Sequence, residues 1–141
     1  MAIYSLGQRT TNFTITQACW ELRSTASVRA VVLEIGFILA TATAVSIGLG
    51  RPAAQGITPV NVTFLAEDFN APAGNTVASL SWGTSPTAPT NFFRRWNSPA
   101  TVGAGIVWTF PRGLIVPVSA SLVLWNITTN VAADVWCVVD E

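Results

Sequence analysis

The run Arg29–Leu39 (RAVVLEIGFIL) constrains the fold more than any other part of the chain. In an extended strand, successive side chains alternate between two faces. Val31, Leu33, Ile35, Phe37 and Leu39 then share one face, and Ala30, Val32, Glu34, Gly36 and Ile38 share the other. Both faces are apolar except for one carboxylate. A small antiparallel sandwich normally turns one face to water. The run therefore reads as a strand covered on both sides, with the second layer supplied by a neighbouring subunit.

No segment sustains a helical period. The chain is a series of short Val, Ile, Leu, Thr, Phe and Trp runs broken by Gly, Pro, Asn and Ser, which is a strand-and-turn pattern. Candidate strands are Phe13–Thr16, Cys19–Arg23, Arg29–Leu39, Ala44–Leu49, Val60–Leu65 and Thr76–Trp82. Asn91–Trp96, Gly105–Phe110, Gly113–Val116, Ser121–Ile127 and Asp134–Val139 follow. Pro52 stops one strand because it removes a ladder donor and restricts the residue before it. Segments 67–75 and 83–90 read as exposed loops, and Pro111-Arg112-Gly113 as a tight turn between two strands. About eight to ten short strands at this spacing predict an all-β protein, a single antiparallel β-sandwich spanning 1–141 and jelly-roll-like in topology. Residues 1–12 are read as an extended arm.

The apolar stretch 31–50 is long enough to raise a membrane span. Glu34, Thr41, Thr43, Ser46 and the glycines at 36, 48 and 50, with the period of two, favour a pair of buried strands. Hydrophobic residues make up 50% of the chain and charged ones only 10%, against about 25% in ordinary soluble domains. So few charges leave surface to be covered by other chains, and a homo-oligomer is expected. The seven cations are all arginine, and only Arg94 and Arg95 are adjacent. With no basic stripe to neutralise phosphates, nucleic acid is not an expected partner.

The chain contains no histidine, and so lacks the usual neutral-pH base, the hydrolase triads and the commonest metal ligand. No catalytic, metal or cofactor residue and no small-molecule substrate is assigned. Two acids could still hydrolyse a glycoside if 5–10 Å apart. Glu21 and Glu34 lie in neighbouring runs that also hold Arg23 and Arg29, and structural ion pairs are the simpler account. Glu67, Asp68 and Asn70 lack the spacing of a calcium loop. Cys19 and Cys137, with no export signal at the start, read as buried thiols. Most of the six tryptophans fall in strands. Phe92, Phe93, Arg94, Arg95 and Trp96 follow a Pro-rich loop and combine residue types enriched at interface hot spots, so they are the candidate subunit or partner contact.

The run Phe110–Asn126 (FPRGLIVPVSASLVLWN) resembles the late strands of small bacteriophage virion proteins with a β-sandwich fold. Trp20-Glu-Leu-Arg23 and Gly48-Leu-Gly-Arg-Pro52 fit the same likeness. The resemblance implies a head decoration, or cement, protein. Such a protein is made in the bacterial cytoplasm, is commonly trimeric, and sits on the major capsid protein at the outer surface of the virion. Two alternatives stay open: a tail or fibre component that binds host glycan through loop tryptophans, and a hydrolase using two carboxylates.

Overall fold

The computed structural model describes residues 2–11 and 17–141. Candidate strand Phe13–Thr16 lies outside the described residues. Eleven strands form: β1 (Ile3–Arg9), β2 (Ala18–Arg23), β3 (Ala30–Leu39), β4 (Val45–Gly50), β5 (Asn61–Thr63) and β6 (Leu65–Ala66), then β7 (Val77–Ser79), β8 (Phe92–Ser98), β9 (Gly105–Val116), β10 (Ser121–Asn126) and β11 (Ala133–Asp140). They make two antiparallel sheets, ordered β6-β1-β11-β3-β9 and β5-β7-β2-β10-β4-β8, packed as a β-sandwich. There is no helix among the described residues.

The eight longer strands pair from the outside in. β1 pairs with β11, β2 with β10, β3 with β9 and β4 with β8. Successive pairs alternate between the sheets. The chain is thus one long two-stranded ribbon folded over itself, and segment 51–91 at its tip carries β5, β6 and β7. The apolar stretch 31–50 is indeed two strands, but they lie in opposite sheets, because the ribbon crosses the core between them.

Alternating side chains from both inner faces fill the core. Trp20, Leu22, Ile47, Leu49, Leu122 and Leu124 come from one sheet; Val32, Ile35, Phe37, Leu39, Val135 and Val139 come from the other, and all are buried. The Trp20 indole N–H donates to Gln8 Oε1 at 3.1 Å, so this large ring leaves no orphan donor in the core.

Four sequence expectations change. Residues Ile3–Arg9 are not an arm: β1 pairs with β11 over its whole length, with Tyr4 and Leu6 in the core. The alternation of β3 breaks at Leu33, which is bulged against β11. Ala30 and Val32 therefore join Ile35, Phe37 and Leu39 on the core face, while Val31 joins Glu34 and Ile38 outside. A bulge inserts one residue and reverses the pleat beyond it, which a strict period of two does not foresee. Pro111-Arg112-Gly113 is not a turn between two strands. It lies within β9, where residues 110–113 face the single residue Leu33. Pro111 has no N–H for the ladder, and Gly113 holds φ +70°, a left-handed conformation that glycine adopts without strain. Val60–Leu65 is split into β5 and β6 at Phe64.

That split closes one side of the sandwich. β5 is an edge of one sheet and β6 an edge of the other, so the chain wraps across the gap and turns Phe64 into the core, 2% exposed. Among the described residues the opposite side has no such wrap: β8 and β9 end the two sheets. Phe64→Ala should lower the unfolding free energy by about 3–5 kcal/mol, measured by urea denaturation. A loss below 1 kcal/mol would mean the wrap does not seal the core.

Candidate functional site

The free β8/β9 side collects the chemistry that the sequence scatters. Gly50 of β4 lies opposite Phe92, and Leu49 opposite Arg94, so Phe93 is an extra residue in β8. This bulge sends neighbouring side chains to different places. Phe92 covers Gly48 on the outer face, where a Cβ on Gly48 would overlap the ring. Trp96 turns inward and meets Phe37 edge-to-face at 6.2 Å. Phe93, Arg94 and Arg95 are exposed. Of the five residues expected to contact a partner, three therefore lie on the surface and Trp96 belongs largely to the core.

Arg51, Arg94 and Arg95 stack on Phe93, Phe110 and Phe92 at 5.1, 5.5 and 5.7 Å. Arg51 also donates to the Ile115 carbonyl at 2.6 Å, and Arg94 to the Phe93 carbonyl at 2.9 Å. Arg112 stands beside Arg94 around a depression of about 390 Å³ floored by Phe110 and Pro111. Four of the seven arginines thus share one edge. Among the described residues the only ion pairs are Arg9–Asp134 and Arg23–Glu21, so these four guanidiniums have no carboxylate. Sequence reasoning missed Arg51, Arg112 and Phe110 as members of the cluster because they come from two runs, 51 and 110–112, both far in sequence from 92–96. The one available signal was Pro111-Arg112-Gly113, whose composition also fits a turn.

The acids divide differently. Glu21 is fully buried on the outer side of β2, under segment 51–60. It accepts from the Trp82 indole N–H at 2.6 Å, from Gly56 N at 3.2 Å and from Arg23 at 3.3 Å. Arg23 also donates to the Gly56 carbonyl at 2.6 Å. This network fastens the ribbon tip to β2, and Glu21 and Arg23 meet as a structural pair. Glu34 and Arg29 do not. Glu34 lies on the outer face of the other sheet and accepts from the Trp136 indole N–H at 2.7 Å; Arg29 is exposed and in no ion pair. Neighbouring runs here belong to opposite sheets, so Glu21 and Glu34 point out of opposite faces of a sandwich whose layers are about 10 Å apart. The two-carboxylate hydrolase arrangement is not formed by this pair.

The Asp134 side chain is half exposed, and the Arg9 guanidinium, with one bond at 2.8 Å, holds its carboxyl below the usual carboxylate range. At the end of the β1/β11/β3/β9 face is a groove of about 450 Å³ with Arg29, Arg112, Asp140 and Glu141 on its walls. On this face no described residue covers Val107 and Ile115, which are 46% and 45% exposed. No group of three acids, cysteines or histidines among the described residues could hold a metal, and Asp68 accepts from Asn70 N at 2.9 Å within its own turn. Cys19 and Cys137 are free and buried.

Comparison of the chain with protein-family models, curated proteins and solved structures finds no match.

Two outcomes follow from these residues. Glu21→Ala, which strands Arg23 beneath the loop, should cost about 3–5 kcal/mol, whereas Glu34→Ala, which frees one indole N–H at a half-exposed site, should cost about 1–2 kcal/mol; thermal unfolding separates them, and equal losses would contradict the assigned roles. Burial pushes the Cys19 thiol up to about 12 and the Cys137 thiol well above its ordinary 9.0. Only thiolates react, so native protein at pH 8 should resist a thiol reagent that labels both cysteines once it is unfolded. Above pH 9 the unfolded thiols ionise while the folded ones stay protonated, so stability should fall with rising pH.

Proposed function

We propose that the chain is a non-enzymatic structural subunit of a bacteriophage particle, a homo-oligomeric jelly-roll protein, trimeric, that binds the major capsid protein on the outside of the head and stabilises the shell. The ribbon pairing supports the jelly-roll topology, because a ribbon rolled so that successive pairs alternate between two sheets is that arrangement, and capsid proteins are among those that use it. Topology alone does not assign function. The observation that carries the reading is the surface: among the described residues ten large hydrophobic side chains are exposed, on a chain with 10% charged residues, with Phe69 fully exposed. Such a surface fits a protein that works while covered by other chains. The likeness of 110–126 to late strands of phage virion proteins points to the particle. A subunit that binds only the assembled shell stabilises it by mass action, and many copies together reduce the need for strong single contacts.

Light scattering on the purified protein should give three chain masses, and the protein should co-sediment with undecorated heads and raise their melting temperature. A monomer that leaves heads unchanged contradicts the proposal.

A further inference from the structure

The exposed hydrophobic residues are not spread evenly. Among the described residues all ten fall in two segments, 57–69 and 93–118. The first builds the β5/β6 edge, the second the β8/β9 edge, on opposite sides of the sandwich. Charge divides along the same line. Directly after β6, Glu67 and Asp68 are exposed and in no ion pair, and Phe69 beside them is 100% exposed. On the far edge, Arg94 and Arg112 flank a depression of about 390 Å³ floored by Phe110 and Pro111. One edge presents an aromatic side chain flanked by two carboxylates. The other presents an apolar hollow flanked by two guanidiniums.

We infer that these edges bind each other between copies of this chain: Phe69 of one copy enters the hollow over Phe110 and Pro111 of the next, and Glu67 and Asp68 pair with Arg94 and Arg112. This rests on the self-association proposed above and names its surface. The contact is heterologous, head to tail, so it closes into a ring when the rotation per subunit divides a full turn; three subunits would close at the proposed trimer. An aromatic anchor in a pocket with guanidiniums at the rim is the composition in which binding energy concentrates. A second copy is the favoured occupant because its Glu67 and Asp68 supply the carboxylates that Arg94 and Arg112 lack among the described residues of their own chain.

The test uses the full chain and light scattering across a concentration series. Phe69→Ser and Arg112→Glu alter exposed side chains and should keep the wild-type thermal midpoint. Each should be monomeric at concentrations where the wild type is fully assembled, with at least a ~30-fold weaker association, about 2 kcal/mol, as expected of a hot-spot residue. Asp68→Arg should do the same, and the double variant Asp68→Arg/Arg112→Glu, which restores opposite charges across the contact, should regain assembly. An assembled wild type whose single variants keep its mass, or a double variant no better than the singles, overturns this interface and leaves the self-association reading standing. A wild type that is monomeric throughout overturns both.

Discussion

A strand at the end of a sheet leaves a row of backbone donors and acceptors without partners, and this protein places two long ones, β8 and β9, on the same side. The rest of the molecule is arranged around that exposure. The paired ribbon gives most long strands two neighbours, and the β5/β6 wrap closes the far side with Phe64. The near side is dressed with edge devices instead: a bulge at Phe93, an interruption at 110–113, a proline, and arginines that lie over aromatic rings. Charged side chains, bulges and proline on edge strands oppose indiscriminate strand addition. In the proposed contact the same devices would select a partner that brings carboxylates and an apolar side chain in place of another bare strand.

The architecture was legible because it rests on the period of two, which runs unbroken through β1, β4, β10 and β11. Most strands in the described residues fall within a few residues of their sequence positions. What the sequence concealed were departures from that period. The bulge at Leu33 inverts the faces of half a strand, and Pro111-Arg112-Gly113 interrupts a strand with residues that elsewhere make a turn. β1 escaped notice because Ser5, Gly7, Gln8 and Arg9 dilute its two core residues, Tyr4 and Leu6.

The site was legible only in part, for a topological reason. Arg94 and Arg95 were conspicuous as neighbours, and the aromatic residues around them drew the eye to 92–96. Their companions Arg51, Phe110 and Arg112 arrive through strand pairing across the folded ribbon, which no local window contains. Neighbouring runs misled in the opposite direction: β2 and β3 follow one another in sequence yet occupy different sheets, so Glu21 and Glu34 face away from each other. Glu21 instead fixes the ribbon tip through Trp82 and Gly56, and that tip carries the Glu67–Phe69 turn. The buried network thus positions the turn that the proposed contact sets against the exposed edge.

Amide hydrogen exchange of the β8 and β9 edge, at concentrations above and below assembly, tests most directly whether this side of the sandwich is an interface. The account predicts slower exchange along residues 92–98 and 105–116 in the assembled protein, with no change in β2 and β10, which already lie inside a sheet. Identical exchange along β8 and β9 at both concentrations would contradict it.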